Sequence, residues 1–243
     1  MSGIAFLLLP GAGMSRWLWE PLIPLLEAPA VVVSPRLVPN TRDQRLHATF
    51  DQVLRHHEEA MALSGADSFV VVGHSGAGLV AGTLGKRNRK VKHVVFVAAN
   101  IPRSGATALD VFPDEVRDRN IAAVTTQAEH DAIPLKALEG MFVPVFCNTC
   151  TPEQTQYVLS QSFFPEPVCA VTTRMNWDDY PPIGLSYVVC QRDKTLTVDQ
   201  QYHLAAHLGI RHLPEIDSGH LPMISHKEEL ARILNGVLSG GAP

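Results

Sequence analysis

The sequence predicts an α/β protein built on a six-stranded, mostly parallel sheet flanked by helices. Three observations carry this expectation. Six short apolar runs recur along the 243 residues. They are continuous rather than alternating, as suits strands covered on both faces. Helical patterns separate them, and strand–helix alternation implies parallel strands joined by right-handed crossovers.

The first run, Ile4 to Leu9, is closed by Pro10-Gly11. It is far shorter than the roughly 18 residues a membrane helix needs, and no basic stretch precedes it as in a signal peptide. The second run is Ala30 to Ser34. From Asp43 to Leu63, the residues Leu46, Phe50, Val53, Leu54, His57 and Met61 fall at helical spacing, which predicts one amphipathic helix. The third run, Phe69 to Val72, leads into a helix over Gly76 to Lys86, and the fourth is His93 to Ala98. The fifth, Leu185 to Cys190, precedes a helix over Val198 to Leu208. The sixth, Arg211 to Ile216, precedes a helix over His226 to Leu238, with Ser225 as N-cap and Glu228 and Glu229 in its first turn. Between the fourth and fifth runs the rhythm breaks. Residues 101–182 are rich in proline and poor in strand signals, with helices expected at Leu109 to Thr125 and Pro152 to Gln161. This predicts a mainly helical cap, 101–182, inserted into a core formed by 1–100 and 183–243.

Composition narrows the partners. Apolar residues make up 46% and charged residues 18%, against roughly 25% charged in an average domain, which excludes a disordered chain. Twenty basic and 24 acidic side chains, with no run of like charge, argue against nucleic acid and anionic membranes as partners. Four cysteines are too few for a disulfide scaffold at this length. A reduced, cytoplasmic chain is expected, as a monomer or homodimer.

The most informative stretch runs from Phe69 to Val80, where a strand enters Gly73-His74-Ser75-Gly76-Ala77 and a helix follows at once. A serine on a sharp strand-to-helix turn needs small neighbours two positions either side, here Gly73 and Ala77. A phosphate-binding turn is the alternative, but the glycine spacing matches neither a dinucleotide nor a P-loop motif. Ser75 is thus a candidate nucleophile, and a hydroxyl requires a base. Among eleven histidines, His220 is best placed, in the loop after the last strand, because open parallel sheets gather their sites at the carboxyl ends of strands. His57 falls on an apolar helix face and reads as core. His203 and His207 have metal-ligand spacing but lack the intervening glutamate pattern, and no metal is expected. His74 should point away from Ser75, since adjacent residues of extended chain face opposite ways. Asp193 follows the fifth strand and is the candidate acid that orients the imidazole. Asp217 is its rival, only three residues from His220. The order Ser75, Asp193, His220 suits a nucleophile-elbow hydrolase. The backbone N–H groups of Gly76 and Ala12 are the candidate oxyanion donors.

These motifs together resemble the α/β-hydrolase superfamily, and within it the small cap-bearing esterases related to plant methyl-ester esterases and hydroxynitrile lyases. Gly11-Ala12-Gly13 with Trp17-Leu18-Trp19 looks like that group's oxyanion loop and first helix. Gly73 to Gly78 resembles its elbow, Asp193 to Gln201 its acid loop, and Gly219 to Met223 its histidine loop. Phe146 to Glu153 is similar to a family segment preceding a cap helix. Two departures stand out: Pro10-Gly11 replaces the family's His-Gly, and Thr149 stands where the family has Asp. The resemblance implies an α/β-hydrolase fold and hydrolysis of a small to medium hydrophobic carboxylic ester, without cofactor. Leu221 and Gly11 stand where the lyases place lysine and threonine, which disfavours cyanohydrin cleavage. A ligand-binding receptor on the same fold is the other alternative.

Cys147 and Cys150 form a CxxC spacing, but with no second pair a zinc or redox role is disfavoured. The cap aromatics Phe112, Phe142, Phe146, Phe163, Phe164 and Trp177, with Met141, suggest an apolar pocket. Phe142, Phe146, Trp177 and Leu221 are the candidate substrate-binding residues.

Overall fold

The structure is a computed structural model that describes residues 3–34, 40–111 and 114–239. Strands β1 (Ile4–Leu9), β2 (Ala30–Val32), β3 (Ser68–His74) and β4 (Val91–Val97) come first. Two short strands, β5 (Ile133–Pro134) and β6 (Ser162–Phe163), pair antiparallel on their own. With β7 (Gly184–Cys190) and β8 (Glu215–Ile216), the first four make a six-stranded sheet in the order β2-β1-β3-β4-β7-β8, parallel throughout. The helices are α1 (Arg42–His47), α2 (Phe50–Leu63), α3 (Gly78–Arg87), α4 (Asp114–Gln127), α5 (Glu139–Phe146), α6 (Pro152–Leu159), α7 (Cys169–Thr172), α8 (Val198–Ala206), α9 (Pro222–Ser225) and α10 (Lys227–Leu238).

The sheet separates two apolar layers, because alternate residues of each strand point to opposite faces. Leu7, Leu9, Val71, Val94 and Val189 face a layer shared with α2, α3 and α8. Phe6, Leu8, Val70, Val95 and Val188 face the other, shared with Trp17 to Leu22 and α10. Residues of the 101–182 segment join both layers: Phe142, Val158 and Phe163 the second, Met175 and Trp177 the first.

Several expected elements are divided or shorter. The single helix expected over 43–63 is two, broken at Ala48, whose backbone is extended. Thr49 caps α2 through a reciprocal box with Gln52, and the reward of satisfying the orphan N–H groups outweighs continuing an unbroken apolar stripe. Ser225 does not cap the last helix. Ser225 ends the short α9 and its hydroxyl donates to the Leu221 carbonyl at the start of that helix, while His226 occupies the N-cap position of α10 without a side-chain cap bond. The sixth run pairs with β7 only at 215–216, apart from one bridge between Ser186 and His212. Helix α5, with Pro144 inside it, had no expected counterpart.

Candidate active site

Ser75 ends β3 and begins a 3-10 turn over Ser75–Ala77 that leads into α3. Its φ is +51°, a left-handed conformation that an L-residue adopts at a cost of about 1–2 kcal/mol. The surrounding chain leaves little choice. A Cβ on Gly73 would lie 2.5 Å from the Ala81 methyl, so helix α3 packs directly on the strand end. The Ser75 carbonyl accepts the Asn100 N–H at 3.0 Å, which ties the turn to the end of β4.

His220 and Asp193 arrive from the neighbouring strand ends, after β8 and β7. Ser75 Oγ is 2.9 Å from His220 Nε2, and His220 Nδ1 is 2.6 Å from Asp193 Oδ2. The side chains of His220 and Asp193 are wholly buried. Asp193 Oδ1 accepts the N–H groups of Thr195 at 2.6 Å and Leu196 at 3.2 Å, so both carboxylate oxygens are engaged. With its Nδ1 proton given to Asp193, the ring presents Nε2 as an acceptor to the serine hydroxyl. That arrangement can take a proton from Ser75 and stabilise the resulting imidazolium. The rival Asp217 is half exposed and forms a bidentate ion pair with Arg192.

Two neighbours hold the histidine loop and a third holds the acid loop, and sequence reasoning assigned none of them this role. His74 is fully buried and its Nε2 donates to the His220 carbonyl at 2.8 Å. Its ring lies 4.7 Å from that of His220, and it buttresses the loop that carries the base. Thr149 Oγ1 accepts the Gly219 N–H at 2.8 Å. Asn148 donates to the Arg192 carbonyl at 2.8 Å, in the acid loop, and its own Oδ1 would meet a Gly219 Cβ at 2.1 Å. The Gly-His pair in the sequence is the only hint: a glycine before the histidine permits that approach.

Ala12 is exposed, next to the buried Gly11 and Gly13. It lines a cavity of about 240 Å³ together with Met14, Gln127, Leu135, Leu138, Phe142, Phe146 and Phe163. Phe142 and Phe146 stack with ring centroids 4.3 Å apart, and Phe146 meets the His220 ring edge-on at 5.1 Å. The cavity is mostly apolar and shares Phe146 with the surroundings of the base. Gly76 follows Ser75 in the first turn. Ser75, Asp193 and His220 line neither this cavity nor a larger hollow of about 490 Å³ bordered by Arg103, Asp110, His203 and His207; the smaller one is linked to the base through Phe146.

Neither Trp177 nor Leu221, the other expected substrate contacts, lines that cavity. Trp177 packs over Gly82 of α3 and donates its indole N–H to the Pro102 carbonyl, in the layer across the sheet from Phe142. Leu221 is fully buried in the second layer: with His220 turned to Ser75, the next side chain turns into the core. Phe112 and the side chain of Met141 lie outside the described residues. His57 is buried on α2 as expected, and its Nδ1 lies 2.7 Å from the Val53 carbonyl. Among the described residues no group of three or more His, Cys, Asp or Glu is disposed to hold a metal ion, and no helix is long and apolar enough to cross a membrane.

Comparison with known proteins gives the family and the fold. Residues 6–233 match the sequence pattern of the alpha/beta hydrolase family. The chain is similar to norfluorocurarine synthase 2 of Strychnos nux-vomica, 26% identical over 94% of this chain and 93% of that protein. Polyneuridine aldehyde esterase of Rauvolfia serpentina is 24% identical over 94% of this chain and 93% of its own length. Among solved structures, an extracellular alpha/beta-hydrolase from a Paenibacillus species superposes with a TM-score of 0.74 at 20% identity. The match covers 95% of this chain and 97% of that one, and the Paenibacillus protein is described as sharing structural and functional homology with tobacco salicylic acid binding protein 2.

Proposed function

The chain belongs to the alpha/beta hydrolase family, and on that premise we propose that it is a serine hydrolase of small to medium apolar carboxylic esters. The observation that carries this reading is the continuous relay Ser75–His220–Asp193, with distances of 2.9 and 2.6 Å and a nucleophile held at φ +51°. Ser75 attacks the ester carbonyl while His220 Nε2 takes its proton. The N–H groups of Gly76 and Ala12 hold the oxyanion, His220 returns the proton to the leaving alcohol, and water cleaves the acyl-enzyme by the same path. The 101–182 segment acts as the cap that supplies Phe142, Phe146 and Phe163 to the pocket. That pocket lies below the roughly 300 Å³ at which typical ligand sites begin, which favours a small apolar group on one side of the ester. No cofactor enters this chemistry. The esterase name of one relative supports the reaction class.

The test pairs a fluorophosphonate probe with a panel of short aryl esters varied separately on the acyl and alcohol sides. Stoichiometric labelling of wild type and turnover of apolar esters are expected, both lost in Ser75→Ala. An unlabelled wild type that binds ligand as well as Ser75→Ala does would refute the hydrolase and favour a receptor. Cyanide release from mandelonitrile would favour the lyase.

A further inference from the structure

The link between α5 and α6 carries a feature the proposed hydrolysis does not use. Cys147 is the C-cap of α5, and Cys150 stands just before Thr151, the N-cap of α6. The Cys150 N–H donates to the Cys147 carbonyl at 2.9 Å. That i to i+3 bond marks a tight turn with Cα atoms under about 7 Å apart, overlapping the roughly 4.4–6.8 Å that a disulfide spans. Both side chains enter the same apolar layer, Cys147 within it and Cys150 packed against it. Between them lie Asn148 and Thr149, the two residues that hold the acid and histidine loops, and immediately before them Phe146 packs on the His220 ring.

We propose that Cys147 and Cys150 form a reversible intramolecular disulfide, and that closing it displaces the Asn148-Thr149 turn and so disturbs His220. The thiols differ in character. The hydrogen bond from Cys147 holds the Cys150 thiol below its ordinary range, while the same bond and burial push Cys147 up. Cys150 is the more exposed of the two and stands beside a helix N-terminus, whereas Cys147 is buried, so Cys150 is the attacking thiolate. Against oxidised glutathione, the Cys150 thiolate bonds to one glutathione sulfur and expels the other as a thiolate. Cys147 then loses its proton, attacks the Cys150 sulfur and expels the second glutathione. Two thiols are oxidised and one glutathione disulfide is reduced to two thiols. A bond of about 2.05 Å between the sulfurs ties together the two ends of the Asn148-Thr149 turn. A misplacement of about 1 Å passed on to the reacting groups can cost about 100-fold in rate. Cys190 is no competitor, being fully buried with its thiol pushed up by burial to about 12.

Only the activity consequence rests on the proposed hydrolysis, so the experiment reads three signals on the full chain with Cys169→Ser as background. The protein is equilibrated with reduced and oxidised glutathione, remaining thiols are trapped with N-ethylmaleimide, and peptides are mapped by mass. The Gly219 amide is followed by NMR, and Ser75 by the rate of fluorophosphonate labelling. A Cys147–Cys150 disulfide, a moved Gly219 resonance and labelling slowed at least about tenfold are expected, all reversed by dithiothreitol and absent in Cys147→Ser. Both thiols remaining alkylatable in oxidised glutathione would overturn the proposal. So would a disulfide that leaves the Gly219 resonance and the labelling rate unchanged. If the reduced protein takes up no probe, the hydrolase reading fails, and the mass map and Gly219 resonance alone decide the disulfide.

Discussion

Replacing Asp193 by asparagine tests the relay at its most constrained point. In the native site Oδ1 accepts two N–H groups, from Thr195 and Leu196, and Oδ2 accepts the proton of His220 Nδ1. Asparagine offers one acceptor and one donor, so it must choose. If its oxygen stays with the two N–H groups, its NH₂ faces His220, and the ring must carry its proton on Nε2. The serine hydroxyl then meets a donor instead of a base. The opposite flip keeps the productive tautomer but sets the NH₂ against two buried N–H groups, at about 1–3 kcal/mol for each donor left unsatisfied. The unproductive orientation is thus favoured by about 2–6 kcal/mol, or roughly 30-fold to 10⁴-fold at 1.4 kcal/mol per decade. Losing the carboxylate's stabilisation of the imidazolium adds to this, so Asp193→Asn should lower kcat/KM by about 10³- to 10⁴-fold. The upper figure matches what the same tautomer error costs in serine proteases, about 10⁴. Initial rates on a short aryl ester and the rate of fluorophosphonate labelling measure it, with thermal unfolding to verify that the variant is folded. Asp217→Asn is the control, expected within about twofold of wild type because Asp217 serves Arg192. An Asp193→Asn enzyme that kept more than a tenth of its activity would refute the tautomer argument.

Three further outcomes follow from the same geometry. Glycine tolerates the φ of +51° at position 75, so Ser75→Gly should be about 1 kcal/mol more stable than Ser75→Ala, a Tm higher by about 2–4 °C; equal Tm values would mean the turn is unstrained. Phe142→Leu should enlarge the cavity and lower KM for an ester one methylene longer, relative to the shorter one, by about fivefold; an unchanged ratio over the panel would exclude this cavity as the substrate pocket. His93 is lowered from 6.5 to about 4, first by burial and then by the nearby His212. Its neutral form therefore belongs to the fold, and the unfolded chain takes up the proton first. The stability this provides is complete above about pH 6.5 and is lost as pH falls towards 4, by about 1–2 kcal/mol after allowing for partial exposure. Denaturant unfolding at pH 7.5 and 5 should show a smaller acid loss in His93→Gln, which retains a partner for Ser186; an equal loss would place the acid sensitivity elsewhere.

The core strands were legible because a strand covered on both faces writes its burial into an uninterrupted apolar run, as Phe69 to Val72 does. Helix boundaries were less so. The apolar stripe from Leu46 to Met61 passes straight through the break at Ala48, and the evidence for the break was the polar pair Thr49 and Gln52, a signal of another kind. Burial patterns report which face is apolar, whereas capping residues report where the chain stops being helical, and the two need to be read separately.

The site divides along a similar line. Ser75, His220 and Asp193 stand at strand ends, where chain order and topology dictate which side chains meet, so sequence position alone narrowed the candidates to two acids. Position already favoured Asp193; His220 Nδ1 bonds to it, and Asp217 is taken up in a bidentate pair with Arg192. In the 101–182 segment no such frame exists. An aromatic residue there is equally compatible with pocket and core, and the outcome depends on which side of the sheet its helix or loop reaches. Phe142 and Trp177 are alike in composition and opposite in placement, since α5 lies over the strand ends while Trp177 is drawn to the gap above Gly82. The contacts that hold the base, from His74, Asn148 and Thr149, are the hardest to foresee. Each joins residues at least 44 positions apart, and each involves a backbone group, so no pairing of side-chain chemistry marks it in the sequence. The same reasoning explains why the cysteine spacing carries more in the fold than in the chain. Without its neighbours a CxxC is an incomplete metal or redox motif, but with Asn148 and Thr149 between the two thiols it stands one hydrogen bond away from each of the loops that hold Asp193 and His220.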